Sequence, residues 1–468
     1  MKTRELSYLG IPKGDTMKMT QGAIKQWVES YDGYLNKMAI CRKISDLTKN
    51  PQEFLNDEYF CQIAAVLSKS QTARAAFVPR EKPARYQQWG TDLEPDAVWQ
   101  MENACQLPIS VCGALMPDAH VGYGLPIGGV LATKDAVIPY AVGMDIACRM
   151  KLTVLDLPVN VLTGQVDRLK NALETETRFG VGATFKNRRE HEVMDEDWSF
   201  SPVVNRHKDK AWSQLGTSGS GNHFVEFGTL TLDRDELGLN AGVYLALLSH
   251  SGSRGTGNEI ATAFSSLAVK RHPELPKELM HLAWLDMDSA EGQEYWQAME
   301  LMGRYAAANH MLIHRHIARN LKVKVLLDVE NHHNFAWKEQ HHGQDVIVHR
   351  KGATPAGDGV LGIIPGSMGT PGYLIRGKGK PESLNSASHG AGRKMSRKKA
   401  KESFTWHDAK KFLTERGVLL LSAGLDEVPM AYKDIEEVMA AQNDLVEPIA
   451  RFDPKIVKMA PAGETPED

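Results

Sequence analysis

His389 stands in "SASHGAGRKMSR" (386–397), where every close neighbour is small and Arg393, Lys394 and Arg397 follow within a few positions. A histidine that only packs needs no such clearance. An imidazole nitrogen that must reach a phosphorus atom does, and cations behind it would hold the polyanion carrying that phosphorus. Other loop-like segments offer metal-competent side chains. "VGMDIACRM" places Asp145 and Cys148 three apart, "GTSGSGNHFVEFG" offers His223, "LLSHSGSRGTG" offers His250, and "VENHHNFAW" offers His332 and His333. Taken singly, Cys148 reads as a buried structural thiol, and His223 or His250 reads equally as a backbone partner or as a metal ligand. Taken together, one thiolate, one carboxylate and several imidazoles form a mixed-softness donor set. It suits zinc, iron or manganese better than calcium or magnesium, and a thiolate can bridge two ions. No zinc-finger spacing or H-E-x-x-H helix is present, so such a site has to be assembled from distant segments.

A second group of loops suits phosphate. "IPGSMGTPG" (364–372) and "HGAG" (389–392) can present backbone N–H groups to oxyanions, with Arg254, Arg350, Lys351, Arg393 and Arg397 in or beside glycine-rich sequence.

The elements that must position these residues are a mixture of helices and short strands. Strand-like runs are "IGGVLAT", "MKLTVLDL", "GVYLALLSH", "VKVLLDVE" and "DVIVHR". A long helical pattern spans roughly 288–321, with Asp288 and Glu291 spaced as a capping box and Tyr295, Met299, Met302, Ala306 and Ile313 on one face. Residues 1–104 read as a mostly helical region without a catalytic signal, and "FVPREKPARYQQWG" as a connecting segment. The charged stretch 186–210 reads as an exposed insertion or mobile loop, and 461–468 as a disordered tail.

The chain has 468 residues and a net charge of -3, which excludes a protein that is basic all over but not a local basic patch. Five scattered cysteines do not form a disulfide framework. No apolar run approaches a membrane span, and "MKTRELSYLG" lacks a signal-peptide core. A cytoplasmic location without membrane contact is therefore expected.

The ordered motifs "MPDAHVGYGLPIGGVLAT", "VGMDIACRM", "GSGNHFVEFG", "HSGSRGTG", "HHNFAW", "HRKGAT", "IPGSMGT", "SHGAGRKMSR", "AYKDIEEVM" and "KIVKMA" resemble those of the RtcB family of GTP-dependent RNA ligases. The resemblance covers about 105–460. It implies an α+β fold, a single large domain with mixed β-sheets flanked by helices and a metal pocket in glycine-rich loops. It also implies an activity joining RNA 3′-phosphate or 2′,3′-cyclic phosphate ends to 5′-hydroxyl ends, as in tRNA splicing and RNA repair, through a guanylylated histidine and an RNA(3′)pp(5′)G intermediate. Two Mn2+ ions and GTP would be the cofactors, and RNA with broken ends the substrate, with an activator protein as a further partner.

Carried over by position, Asp145, Cys148 and His223 would hold one manganese, and Cys148, His250 and His333 the second. His389 would be the nucleophile and Asp118 its orienting partner. Asn222, Phe224, Glu226, Asn334, Pro365, Gly366, Ser367, Met368, Gly390, Ala391, Gly392, Tyr432 and Lys458 would line the nucleotide site. Arg254, Lys351, Arg393 and Arg397 would stand near phosphates.

The chain departs from the family pattern at several positions. Ala147 and Arg149 flank Cys148 where glycines are usual, and the arginine would either repel the metals or bind an incoming phosphate. Pro355 replaces a common arginine, Gly372 a serine that touches guanine, and Ser388 a cysteine. The pattern is that of a divergent paralogue. Two other readings follow: end-capping or cyclic-phosphate processing without efficient sealing, and a non-catalytic RNA-binding or RNA-repair partner.

Overall fold

Side chains along the strand Arg149–Leu155 alternate between two surfaces, and all seven residues are buried. Met150, Leu152 and Val154 join an apolar cluster with Leu248, Val329, Ile363, Leu374 and Phe452. Arg149, Lys151 and Thr153 point the opposite way, where each finds a polar partner. Arg149 pairs with Glu330 at 3.1 Å and donates to Gly303 O at 3.1 Å. Lys151 pairs with Asp328 at 2.6 Å, and the Thr153 hydroxyl donates to Asp328 Oδ1 at 2.9 Å. Buried charge is tolerated here because it is paired and hydrogen-bonded.

The computed structural model describes residues 1–463 except 13, 32, 34 and 76, without the side chains of 4, 7, 8 and 69–75; within it the chain divides into two compact units. One unit is Met1–Val78 with His272–Lys277. Its helices Thr3–Tyr8, Asp15–Ser30, Lys37–Lys49 and Cys61–Ala75 enclose Leu6, Ile24, Ile44, Leu47, Phe60 and Ile63. The other unit is Pro79–Arg271 with Glu278–Asp468. Of the expected tail 461–468, residues 464–468 lie outside the described residues.

The second unit holds two large sheets. The bigger one runs Leu361–Ile364, Gly372–Gly377, Val446–Met459, Phe224–Leu232, Gly242–Ser251, Arg149–Leu155 and Val325–His332, with Leu419–Ser422 parallel to Val446–Met459. Helices Val166–Glu176 and Ala290–Leu321 cover one face, packing Leu169, Leu173, Ile313, Ile317 and Leu321 against Val225, Phe227, Leu245 and Leu247. The smaller sheet runs Arg85–Gln88, Ser110–His120, Ile127–Thr133, Gln344–Lys351 and Asn334–His341. The chain leaves the larger sheet at His332 and enters the smaller at Asn334, so His333 is the single residue between them. This is the mixed, helix-flanked architecture expected. No helix among the described residues is long and apolar enough to cross a membrane.

Three local expectations are corrected. The connecting segment holds the strand Arg85–Gln88, paired in parallel with Cys112–Leu115, because a sheet edge was available to it. The long helix is Ala290–Leu321, capped by the Ser289 hydroxyl accepting from Gly292 N, so the Asp288 capping box does not form. The stretch 186–210 is not a loose insertion: it carries short helices, and Arg189, Trp198 and Val204 are buried within it.

Because Arg149 faces Glu330 and helix backbone, Arg149→Ala should lower stability by about 1–3 kcal/mol through the lost hydrogen bonds. Divalent-metal content should stay unchanged. Urea unfolding and metal analysis of the same sample check both, and loss of metal would place Arg149 in the site after all.

Candidate active site

Strand register gathers the metal-competent residues at one end of the larger sheet. Arg149 pairs with Ser251 on one side and His332 on the other, while Phe224 pairs with His250. Cys148 thus precedes one strand, His223 precedes another, His250 sits near the end of a third and His333 follows a fourth. Backbone bonds fix the junction: His333 N donates to Cys148 O at 3.0 Å, Cys148 N to Asp145 O at 3.2 Å, and Ala147 N to Asn334 O at 2.7 Å. Ala147 has φ +57°, the left-handed region where glycine carries no steric cost, which accounts physically for a glycine-like position. Arg149 belongs to the opposite surface described above, so it neither repels a metal nor binds a phosphate at the cluster.

Two groups of donors share Cys148: Asp145–Cys148–His223 and Cys148–His250–His333, all five residues buried. Cys148 Sγ lies 3.0 Å from His250 Nε2 and 3.4 Å from His223 Nε2. His250 Nε2 is 3.2 Å from His333 Nε2, and His223 Nε2 is 3.1 Å from Asp145 Oδ2. Burial pushes His250 down to about 3, so the ring is neutral at neutral pH. Its Nδ1–H donates to Asn222 O at 3.1 Å, which leaves an Nε2 lone pair aimed at sulfur and at the second imidazole. Burial, reinforced by the neighbouring histidines, also drives His333 well below its usual value, and its buried Nδ1 has no hydrogen-bond partner among the described residues.

Asp145 would be raised by burial, but His223, Arg254 and Cys148 outweigh this and hold the carboxyl at about 2. Its Oδ1 accepts from Ser253 N at 3.0 Å. A Cβ on Gly252 would come within 2.1 Å of its Oδ2, so only glycine fits beneath it. Electron-rich atoms converging this closely, with few protons to share, fit a divalent transition-metal cation.

The same cavity, about 490 Å³, is lined by these residues and by His389. His389 Nδ1–H donates to Asp118 Oδ2 at 2.7 Å and its backbone N–H to the same oxygen at 3.2 Å. Two bonds to one fully buried carboxylate fix both the ring's orientation and its tautomer, leaving Nε2 with its lone pair. The ring centroid is 4.9 Å from that of His333.

A family model described as tRNA-splicing ligase RtcB matches residues 100–459. The chain belongs to the RtcB family. RNA-splicing ligase RtcB of Escherichia coli (strain K12) is 36% identical over 402 residues, covering 77% of this chain and 93% of the relative. The tRNA-splicing ligase RtcB of Methanococcus maripaludis is 32% identical over 448 residues, covering 80% and 92%. That of Nanoarchaeum equitans is 33% identical over 433 residues, covering 76% and 90%.

Most residues that the RtcB resemblance assigned to nucleotide line the cavity: Asn222, Phe224, Asn334, Pro365 to Met368, Gly390 to Gly392 and Tyr432. Asn334 also has a structural role, donating to Asp145 O at 3.3 Å and accepting from Gly352 N at 2.8 Å. Part of the expected oxyanion cradle is already used, since Ser367 N bonds Thr370 Oγ1 and Ala391 N bonds Pro365 O. Glu226 and Lys458 are not on the cavity wall. Glu226 is buried, and burial pushes its carboxyl well above the usual range. Lys458 donates to Leu173 O at 3.3 Å, and burial lowers it to about 8. The two sit at successive paired positions, Val457 opposite Glu226 and Lys458 opposite Val225, so strand alternation puts them on opposite faces of the sheet.

Among the four expected phosphate contacts, Lys351, Arg393 and Arg397 line the cavity and Arg254 does not. Arg254 is buried behind His223, donating from Nη1 to His223 Nδ1 at 3.1 Å, and its guanidinium fills the space over Gly219. Arg393 and Arg397 are engaged by Glu427, and Arg397 also lies 3.4 Å from Asp426. Burial lowers Lys351 to about 7, and its Nζ donates to Tyr123 O at 2.6 Å. Gly372 lies against Pro365 and Ile364 rather than on the cavity wall, and Pro355 pairs with Ser386 away from it.

Sequence reasoning missed His120, Tyr123, Tyr140 and Glu427, all of which line the cavity. His120 and Tyr123 lie inside the quoted motif "MPDAHVGYGLP", where glycines around a tyrosine were a usable signal. Glu427 had none, because only folding brings it to the arginines.

Cys148→Ser should weaken both three-residue groups together, since the shared ligand is the one altered. Metal titration would then show one combined loss, whereas loss at a single group would exclude sharing. A pH effect on the metal-free protein follows from three other histidines, His349 fully buried and His120 and His332 half-buried. Burial holds His120 and His349 at about 4 and His332 at about 3. The unfolded chain, with histidine pKa near 6.5, therefore binds more protons than the folded one from about pH 6.5 down to about pH 4. Stability should fall through that window by up to about 1.4 kcal/mol per pH unit for each such histidine. Urea midpoints at about pH 7 and about pH 5 measure it, and equal midpoints would contradict it.

Proposed function

We propose that this chain is a GTP-dependent RNA ligase that joins RNA 3′-phosphate or 2′,3′-cyclic phosphate ends to 5′-hydroxyl ends, with His389 as the residue that carries GMP. The observation that carries this reading is the Asp118–His389 pair, whose Nδ1 bond leaves the Nε2 lone pair for attack, in the cavity that also holds the two donor groups around Cys148. The names of the matched relatives, RNA-splicing and tRNA-splicing ligases, support the same reaction class.

The RtcB resemblance implies the order of events, and the chain's own residues are suited to it. His389 Nε2 attacks the α-phosphorus of GTP, forming an N–P bond as the bond to pyrophosphate breaks. Asp118 keeps the Nδ1 proton in place and stabilises the positive ring as it forms. An RNA 3′-phosphate oxygen then takes GMP from the imidazole, giving RNA(3′)pp(5′)G. The 5′-hydroxyl oxygen attacks the RNA phosphorus, its proton passes to solvent, and GMP leaves. A cyclic phosphate is first opened by water to a 3′-phosphate. Two Mn2+ ions, held by Asp145, Cys148 and His223 and by Cys148, His250 and His333, would supply charge neutralisation of the phosphoryl oxygens. Arg393 and Arg397 meet phosphate only by giving up part of their pairing with Asp426 and Glu427.

Incubation with manganese and α-labelled GTP should give an acid-labile, base-stable protein adduct. It should vanish in His389→Ala and persist in His332→Ala, because His332 packs against Phe335 and Trp337 instead of joining either donor group. Cleaved RNA halves should then be joined. Capped ends without joined product would favour the end-processing reading, and no adduct at all would sink both. The same assay with ATP measures how far the nucleotide preference extends.

A further inference from the structure

Tyr123 is 64% exposed, yet it stands at the mouth of the cavity on a loop held by four side-chain hydrogen bonds. Val121 N donates to Glu94 Oε2 at 3.1 Å. Gly122 is gripped on both sides by Gln100, its N–H donating to Oε1 at 3.0 Å and its carbonyl accepting from Nε2 at 2.6 Å. The Tyr123 carbonyl accepts from the cavity lysine, Lys351, at 2.6 Å. The turn continues through Gly124, at φ +73°, where a Cβ would come within 2.7 Å of His281 O. The backbone therefore lies directly on the segment that supports it.

His281 meets Tyr123 edge to face at a centroid distance of 5.8 Å, and Tyr140 meets His281 at 4.6 Å. Beside it Val121 is 42% exposed. A large ring left mostly in water, on a pinned loop, gains little for the fold. The same arrangement suits a flat, sequence-tolerant partner, and every nucleobase has such a face. The cavity beside it carries Lys351, Arg393 and Arg397, which fit the phosphates of the same strand.

We infer that Tyr123 is a stacking platform for an unpaired base of single-stranded RNA next to the end that enters the cavity. The inference rests on the ligase reading for its choice of RNA. It names the substrate class as a strand whose last bases are unpaired, since a base held in a duplex cannot splay onto the ring.

The test uses the full chain with Tyr123→Ala, Tyr123→Phe and Tyr123→Trp. Two single-stranded RNA probes are compared, one ending in a 3′-phosphate and one beginning with a 5′-hydroxyl, each with 2-aminopurine at the end concerned. On the probe whose end lies over the ring, Tyr123→Ala should weaken binding about 5- to 150-fold. It should also abolish quenching of the 2-aminopurine, while Phe and Trp retain both. Attachment of GMP in the absence of RNA, measured on wild type and on each variant, separates a loss of RNA binding from a loss of nucleotide binding. Equal binding of both probes by wild type and Tyr123→Ala would overturn the inference. So would an equal loss for blunt duplex RNA, or a change in oligomeric state without a change in RNA binding, which would make the ring a protein contact. If wild type never takes up GMP but binding still depends on Tyr123, the ligase reading falls and the platform stands. If GMP attaches and Tyr123→Ala binds like wild type, the platform alone falls.

Discussion

One sulfur atom, Cys148 Sγ, sits where the ends of neighbouring strands converge, within 3.4 Å of two imidazole nitrogens. Much else in the second unit serves that convergence. The strand Arg149–Leu155 is the last but one of the larger sheet, lying between the strand that carries His250 and the edge strand that His333 follows. His333 is placed by the crossing from one sheet to the other, and its backbone is tied to that of Cys148. Bringing neutral imidazoles, a thiol and a carboxylate together in a dry interior costs solvation that hydrogen bonds only partly return. A cation is the group that compensates for it.

The polar side of the same strand shows how the interior tolerates charge elsewhere. Lys151 and Arg149 reach Asp328 and Glu330, carboxylates that remain partly exposed at their outer ends. Thr153, His314, Ser249 and His310 continue the polar contacts beneath the long helix, with hydroxyl-to-imidazole distances of 2.6–2.7 Å. Ser249 adjoins His250, so this network also holds the strand that carries a metal-competent histidine. At the cavity wall the logic is reversed: Arg393 and Arg397 face Asp426 and Glu427, so the cationic surface is partly neutralised from within. Any anion entering there competes with carboxylates already in place.

Legibility in the sequence followed locality. The strand "IGGVLAT" was readable end to end as Ile127–Thr133, and the apolar stripe of the long helix is buried as its spacing implied. Asp145, Cys148, His223, His250, His333 and His389 were readable as candidates because each is a metal-competent or nucleophilic side chain in a short motif at or near the end of a strand-like run. Lys458 and Glu226 lie off the cavity wall on opposite faces of the sheet, a placement set by strand phase that no short stretch of sequence fixes. Arg254 looked like a phosphate ligand by its loop, but its left-handed backbone, φ 59°, accompanies a guanidinium turned inward onto His223.

Residue type and local spacing alone determined which side chains have the chemistry for metal, phosphate and nucleophilic attack, and where the long helix and the strongly apolar strands run. These are properties of a side chain and its near neighbours, so no folding is needed to read them. Only the tertiary structure decided that one cysteine belongs to two donor groups, that Asp118 grips His389, that Glu427 occupies the arginines, and that Tyr123 is left in water at the cavity mouth. Those facts depend on pairings between segments tens to hundreds of residues apart. Strand register and crossover set them, and neither is encoded within any short stretch of chain.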